Sequence, residues 1–344
     1  MLEVAHNPAA PAVPKRRSRL GFVGVGWIGR NRLEAIARSD CAEVAVLCDP
    51  AIDSTAAIPG CEHSAFALSF ESLLEMNLDG IVIATPSALH VEQAVAALEH
   101  GKAVFCQKPL ARTGGETRRV IDAARRANRL LGVDLSYRAT TGMRRIRDLI
   151  RHGRLGDVYA VEMMFHNAYG PDKPWFYDPR LSGGGCLLDL GIHHLDLALW
   201  CLGFPQVARA YGHLLSHGAP WTPGGDTVED YAAVQVILAT GAVIQIACSW
   251  RAPAGCDARI EATFLGTAGG ASFRNLDGSY YHFMAEHFRP DRSRHILTHP
   301  SDDWSGRTAV DWALRLTESP AYDPEIEHLI TVADTLDHLY GLPS

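Results

Sequence analysis

Three polar side chains of the sequence have types and spacings suited to proton transfer. Lys108 follows Cys106-Gln107 at the carboxyl end of a predicted strand, which is where open α/β sheets place their ligands. Asp189 and His193 are four residues apart in a predicted helix, so they face the same way. A histidine accepts a proton near neutral pH, and an ammonium group stabilises charge developing on an oxygen. Together, the three side chains could take the proton of a hydroxyl group.

A glycine-rich segment near the start predicts a dinucleotide site. Gly24-Val25-Gly26-Trp27-Ile28-Gly29 reads G-x-G-x-x-G, follows an apolar strand and opens a helical stretch. The glycines permit a tight turn, close approach to a diphosphate and close helix–strand packing. We expect the diphosphate at this helix N-terminus, held by Gly24, Gly26, Trp27, Ile28 and Gly29.

Asp49, at the end of the next strand, bears on the choice of nicotinamide cofactor. A carboxylate here accepts a hydrogen bond from the ribose 2′-OH and repels a 2′-phosphate. NAD(H) is therefore expected to be preferred over NADP(H). An ordinary aspartate that turns the chain into Pro50 is the alternative reading.

Short apolar runs alternate with helical patterns from Leu20 onward, which is typical of a doubly wound parallel sheet. The helical stretch Ala88–His100 shows apolar residues at three- and four-residue spacing, and Thr113–Asn128 is a second one. The predicted strands are Leu20–Val25, Val44–Cys48, Gly80–Ala84, Ala103–Cys106 and Leu131–Leu135. The sequence thus predicts an α/β Rossmann domain over residues 20–137.

The pattern changes after Tyr137, because strand-like runs follow one another without intervening helices. These runs are Val158–His166, Tyr231–Leu238, Ala242–Trp250 and Ile260–Leu265. They predict an α+β domain over residues 138–344 with a large, open, mainly antiparallel sheet. A last helix is expected from Pro324 to a stop at Gly341.

Length and composition fit a soluble protein of two domains. The chain has 344 residues, against roughly 150 per domain as a prior. Its net charge of −7 argues against nucleic acid as a partner, and no segment reaches the roughly 18 uninterrupted apolar residues of a membrane span. Eight scattered cysteines are typical of reduced thiols in the cytoplasm, and residues 1–19 read as a disordered basic tail.

With these residues the sequence resembles the glucose-fructose oxidoreductase / inositol dehydrogenase / MocA family, from about Leu20 to Tyr340. Besides the fingerprint, several segments carry the resemblance: Ala84-Thr85-Pro86 with His90, Lys108-Pro109, Leu155-Gly156, Gly183-Gly184-Gly185 with Asp189-x-x-x-His193, and Gly266-Thr267. The resemblance implies that Lys108, Asp189 and His193 line the site where a substrate alcohol meets the nicotinamide. It also implies that Thr85, Pro86, His90, Gln107 and Lys108 take part in binding the cofactor.

The roles that follow are a general base or acid for His193, an oxygen-binding and proton-relaying group for Lys108, and an orienting carboxylate for Asp189. Two positions depart from the family pattern. Gln107 stands where the family usually has glutamate, which makes ionised Lys108 somewhat less favoured, and Ser87 replaces an asparagine.

Further side chains are expected near the substrate. Tyr137 and Arg138 follow the last Rossmann strand, and His166 ends the first strand of the second domain. Trp175 either forms an apolar wall for a sugar face, together with Phe176-Tyr177, or only packs its loop. His194 lies on a different side of the predicted helix from His193. A structural role is therefore favoured over a substrate contact for His194. No metal is expected, because hydride transfer in such a fold needs none.

The leading hypothesis is an NAD(H)-dependent dehydrogenase or reductase for a secondary alcohol or ketone of a sugar, cyclitol or sugar derivative. Two alternatives stay open: a redox-neutral glycosidase that uses NAD transiently, and a non-catalytic NAD-binding regulator. The intact Lys108, Asp189 and His193 set disfavours the regulator. An open sheet face exposes apolar area, so a homodimer or homotetramer is expected.

Overall fold

The first part of the chain folds into a parallel six-stranded sheet. The computed structural model describes residues 17–51, 58 and 61–342. The strands are β1 (Ser18–Val23), β2 (Ala42–Cys48), β3 (Ala65–Phe66), β4 (Gly80–Ile83), β5 (Ala103–Cys106) and β6 (Leu131–Val133). Their order is β3-β2-β1-β4-β5-β6, so the winding direction reverses between β1 and β4. This reversal creates the crevice at the carboxyl ends of the strands where such sheets bind ligands.

The doubly wound domain is confirmed, with small differences at its borders. β1 begins at Ser18, inside the predicted tail, and residues 1–16 of that tail lie outside the described part of the chain. The short β3 was not predicted, since two residues carry no periodic signal. The helices of this part are α1 (Trp27–Ser39), α2 (Phe70–Leu74), α3 (Ser87–Glu99) and α4 (Gly114–Ala127).

The second sheet has nine strands and is mainly antiparallel, as expected; β7 and β11 form its parallel pair. Its strands are β7 (Val158–Asn167), β8 (Val207–Ser216), β9 (Ala219–Pro220), β10 (Tyr231–Leu238), β11 (Val243–Ser249), β12 (Ala258–Gly266), β13 (Gly269–Asn275), β14 (Phe283–Phe288) and β15 (Arg294–Thr298). Along β10, Ala232, Val234 and Val236 are buried and alternate with more exposed residues. One face of the sheet therefore covers a core, and the other points outward.

Helices from the second part of the chain pack against both sheets. Those after residue 137 are α5 (Thr141–Arg151), α6 (Pro179–Ser182), α7 (Ile192–Leu202), α8 (Arg307–Glu318) and α9 (His328–Leu339). Pro324 lies in a 3₁₀ turn that runs directly into α9, close to the predicted start of the last helix. The stretch Pro179–Leu202 has the length and hydropathy of a membrane span, but 78% of its apolar 18-residue window is buried inside the protein, as in a core helix.

Helix α8 belongs to the second part of the sequence but packs on the first sheet. Ala309, Trp312 and Leu316 are buried in one cluster with Phe22 and Phe105 of β1 and β5. A Cβ atom at Gly80 would lie 2.8 Å from the Trp312 ring, and one at Gly132 2.7 Å from it. These two glycines therefore make room for the indole. The boundary at residue 137 stays a prediction, and the packing of α8 shows that segments on both sides of it build the first sheet's core.

We expect Trp312→Ala to lower the free energy of unfolding by about 3–5 kcal/mol, because it opens a cavity between α8 and the first sheet. Leu314→Ala is the matched control, since Leu314 lies on the same helix and is exposed. Urea unfolding followed by circular dichroism measures both. Equal losses in the two variants would contradict the packing role of Trp312.

Candidate active site

The glycine-rich loop has the shape that a diphosphate requires. Gly24 has a φ of 84°, and a Cβ atom at Gly29 would overlap the Gly24 carbonyl oxygen. A Cβ atom at the exposed Gly26 would have no described atom within 4 Å. Gly26 is the N-cap of α1 and provides no side-chain cap, and Trp27 is 72% exposed. The loop thus offers open space before backbone N–H groups, which fits the diphosphate of a dinucleotide.

Asp49 lies beside this loop, directly after β2. Its Oδ2 accepts a hydrogen bond from the Val25 N–H at 2.6 Å, and its Oδ1 accepts one from Ala51 N–H at 2.8 Å. The side chain is only half-buried. The carboxylate is therefore fixed next to the fingerprint and remains accessible to a ribose.

The segment Ala84-Thr85-Pro86 connects β4 to α3, and the His90 ring contacts its backbone. The His90 ring nitrogens lie 2.7 Å from the Pro109 carbonyl oxygen and 2.8 Å from that of Thr85. His90 is buried, so it ties the loops after β4 and β5 together. Direct contact of Thr85, Pro86 or His90 with a cofactor stays a prediction.

Lys108 and Asp189, predicted from distant parts of the sequence, are brought into contact. Lys108 Nζ donates to Asp189 Oδ1 and, at 2.7 Å, to the Asp189 carbonyl oxygen. Trp250 Nε1 donates to the other carboxylate oxygen at 3.1 Å. The two side chains of this ion pair are 18% and 16% exposed, so the pair is shielded yet reachable from solvent. Trp250 was missed by the sequence analysis, although it ends a predicted strand.

Asp189 lies in a single turn of π-helix, Leu187–Gly191, that continues into α7. The Ile192 N–H donates to the Leu187 carbonyl oxygen, five residues back. The prediction of a helix here is correct, but the π turn was not predicted. Such turns are rare and frequently occur at functional sites.

A buried glutamate fixes the start of this turn. Glu229 accepts hydrogen bonds from Gly185 N–H at 2.9 Å, Leu187 N–H at 2.8 Å and the Tyr340 hydroxyl at 2.8 Å. Burial raises the pKa of the Glu229 carboxyl group to about 7, although these donors favour the ionised form. A Cβ atom at Gly185 would overlap the Glu229 carbonyl oxygen, so this position requires glycine.

His193 is a buried imidazole in the first turn of α7. Its pKa lies well below the usual 6.5, mainly because of burial, and the charges of Lys108, His194 and Arg32 lower it further. The ring packs edge-on against Tyr137, with centroids 5.0 Å apart. Its Nδ1 is buried and has no hydrogen-bond partner within the described chain. The histidine is thus neutral near pH 7 and able to accept a proton.

Of the other predicted substrate contacts, Tyr137 lies beside His193 and Arg138 does not. Arg138 donates to Asp196 from two nitrogens, one at 2.6 Å, and its guanidinium group lies over Phe204. Its contact with a substrate stays a prediction. Its partners Asp196 and Trp200 both lie on α7.

The remaining aromatic and imidazole candidates surround the second sheet's end. His194 is buried against Phe165, and burial lowers its pKa to about 3. His166 Nδ1 is 2.7 Å from the Ser249 hydroxyl oxygen, and Trp175 stacks on Phe176 at 3.8 Å. In residues 17–51, 58 and 61–342 no group of three or more metal-ligating side chains is arranged to hold an ion.

Two family models match the chain. Residues 18–135 match the oxidoreductase family with an NAD-binding Rossmann fold, and residues 143–272 match the GFO/IDH/MocA C-terminal domain. The rhizopine catabolism protein MocA of Rhizobium meliloti is 31% identical over 54% of this chain and 58% of its own length. D-glucoside 3-dehydrogenase of Escherichia coli is 27% identical, and the match covers 74% of this chain and 76% of that protein. The 1,5-anhydro-D-fructose reductase of Ensifer adhaerens is 30% identical, and the match covers 66% of this chain and 68% of that protein.

Solved structures share the fold. A levoglucosan dehydrogenase in complex with NADH and L-sorbose superposes with a TM-score of 0.77 at 20% identity, covering 95% of this chain and 97% of that one. A 3-ketoreductase from Actinomadura kijaniata, in complex with NADP and TDP-benzene, gives 0.79 at 19% identity, covering 95% and 98%. These neighbours were solved with different nicotinamide cofactors.

The raised pKa of Glu229 predicts a pH-dependent contribution to stability. Folding favours the protonated form, so this contribution is full below the pKa of an unfolded glutamate and is lost as the pH rises through about 7. We expect Glu229→Gln to gain about 3 kcal/mol relative to the parent protein between pH 4.5 and pH 8. Urea unfolding of both proteins across this range measures the difference. A difference that does not change with pH would contradict the assignment.

Proposed function

Since the chain belongs to the GFO/IDH/MocA family of oxidoreductases, we propose that it transfers hydride between NAD(H) and a secondary alcohol or ketone of a sugar, cyclitol or sugar derivative. The contact between Lys108 and Asp189 beside His193 carries the proposal. It joins the carboxyl end of a Rossmann strand, next to the crevice, to the helix that bears the imidazole. Relatives named for sugar and inositol oxidation or reduction support the substrate class.

Each of the three side chains has a separate task. Neutral His193 accepts the hydroxyl proton as the alcohol is oxidised and returns it when a ketone is reduced. The Lys108 ammonium stabilises negative charge on the same oxygen, as a fixed donor in a shielded site. Asp189 orients Lys108 and offers its remaining acceptor capacity to a substrate hydroxyl. Bound NAD would supply the hydride-accepting ring.

The proposed cofactor site uses the loop of Gly24, Gly26 and Gly29 for the diphosphate and Asp49 for the ribose. The position of the Asp49 carboxylate, held by Val25 N–H beside the loop, favours a ribose hydroxyl over a phosphate. NAD(H) is therefore the proposed cofactor, although one structural neighbour holds NADP.

The proposed assembly is a homodimer or homotetramer formed through the outward face of the nine-stranded sheet. Tyr211, on β8, is 54% exposed and lies on that outward face, because Ala210 and Leu214 of the same strand are buried on the other one. A second copy of the chain would cover this face. The eight cysteines are free thiols, which supports a reducing compartment such as the cytoplasm.

Substituting the proposed base should remove most of the activity. We expect His193→Ala to lower kcat by roughly 10²–10⁴-fold while leaving NADH affinity nearly unchanged. Lys108→Ala should have a loss of similar size, because it removes charge stabilisation at the reacting oxygen. Since the pKa of His193 is lowered, oxidation by the parent protein should persist below pH 6.5.

The measurement is NADH absorbance with a panel of sugars and cyclitols, and NADH binding by fluorescence. His152→Ala is the matched control, because His152 is exposed and bonded to its own helix. Undiminished turnover by the His193 variant would remove the role given to His193. A parent protein that turns over no member of the panel would contradict the proposed reaction.

Cofactor preference should depend on Asp49. The parent protein is expected to bind NAD(H) more tightly than NADP(H). Asp49→Ala should reduce this difference in affinity, because it removes both the acceptor for the ribose hydroxyl and the carboxylate that repels a 2′-phosphate. Isothermal titration calorimetry with the two cofactors checks this. Tighter binding of NADP(H) by the parent protein would overturn the preference.

A further inference from the structure

The buried carboxylate of Asp134 contacts the residue that precedes Lys108. It follows β6 and is 1% exposed. Its Oδ2 accepts hydrogen bonds from Arg32 Nε and Gln107 Nε2, both at 2.5 Å, and its Oδ1 accepts one from the Thr308 hydroxyl at 2.5 Å. Arg32 and Gln107 are buried as well. A buried ion pair with three donors on one carboxylate is stable only while all partners are present.

The partners of Asp134 come from the elements that build the proposed site. Arg32 belongs to α1, which begins at the glycine-rich loop, and Gln107 directly precedes Lys108 at the end of β5. Thr308 lies in the first turn of α8. A single carboxylate therefore links the cofactor helix, the backbone of the lysine and the helix that covers the sheet.

We propose that Asp134 is a positioning residue that holds the Gln107–Lys108 segment and balances the charge of Arg32, and that positions 107 and 134 must together carry one negative charge. The positioning part rests on the proposed function. Gln107 suits this arrangement because its amide donates a hydrogen bond to the carboxylate that pairs with Arg32. A glutamate at 107 beside Asp134 would place two carboxylates at hydrogen-bond distance in a buried site, where both cannot stay ionised.

Arg32 pairs with Asp134 and also acts electrostatically on the proposed base, His193. Lys108 after β5, His194 on α7 and Arg32 on α1 all act electrostatically on His193, and Tyr137 after β6 packs against its ring. The positive charges of Lys108 and Arg32 both favour the neutral imidazole. Asp134 opposes the charge of Arg32, so its removal should lower the pKa of His193 further and weaken the hold on Lys108.

Four proteins test the proposal: the parent, Asp134→Asn, Gln107→Glu, and the double variant that carries both changes. The first two variants should unfold roughly 5–10 °C lower than the parent, because each leaves unbalanced buried charge. Each should also lose about 10–100-fold in kcat with little change in KM, because Lys108 is misplaced. The double variant moves the carboxylate to position 107. Compared with Gln107→Glu, we expect it to regain at least half of the decrease in unfolding temperature and to have a kcat about tenfold higher.

The pH profile separates positioning from general support of the fold. In Asp134→Asn the acid limb of kcat/KM should move to lower pH, since uncompensated Arg32 favours neutral His193. Asp337→Asn is the matched control, because Asp337 is also buried and caps Gly114 N–H at 2.8 Å away from the site. It should lower the unfolding temperature and leave the acid limb unmoved.

Two outcomes would overturn the proposal: a double variant no more stable or active than Gln107→Glu, and an acid limb that Asp134→Asn shifts no more than Asp337→Asn does. If the parent protein oxidises none of the sugars tested, the proposed function fails instead. The unfolding temperatures of the four proteins then still decide whether positions 107 and 134 share one charge.

Discussion

The ion pair between Lys108 and Asp189 is the constraint on which the site depends. Lys108 follows β5 of the first sheet, whereas Asp189 lies in the π turn before α7, so their contact requires these two segments to meet. Trp250 adds a second donor to the same carboxylate from the end of β11, so three elements converge on one side chain. Because the pair is shielded from solvent, its charges act more strongly on a bound oxygen than they would at the surface.

The glycine triplet shows how backbone packing serves this contact. Gly183 takes a left-handed conformation at the end of α6, with a φ of 85°. A Cβ atom at Gly184 would lie against the Tyr340 ring, 2.7 Å from its Cζ atom, and one at Gly185 against the Glu229 backbone. The triplet therefore permits close approach rather than mobility, and Glu229 then fixes the turn through two backbone N–H groups. An acid with a pKa near 7 in this place ties the stability of the turn to pH.

The sequence predicts local patterns well and distant partners poorly. The Rossmann strands, the glycine loop and the presence of a helix around His193 follow from periodicity and turn chemistry, which depend on neighbouring residues. The strands after Leu265 were missed, and β15 has mostly exposed residues without a clear alternation. Helix α8 has an apolar stripe that indicates a helix, but no local signal says that Trp312 packs against Gly80 and Gly132. The partners Trp250, Glu229 and Asp134 are likewise set by contacts across tens to hundreds of residues.

The positive charges near His193 are each paired with a carboxylate. Burial makes the imidazole neutral, and the ammonium of Lys108 acts in the same direction, so the imidazole starts as a base rather than an acid. Each cation is matched by a carboxylate, Asp189 for Lys108 and Asp134 for Arg32, and both carboxylates are fixed by further donors. A proton accepted by His193 therefore adds one net positive charge to a balanced site. In the proposed reaction that charge is most favourable when the substrate oxygen has given up its proton beside it, so the proposal couples protonation of the imidazole to oxidation of the alcohol.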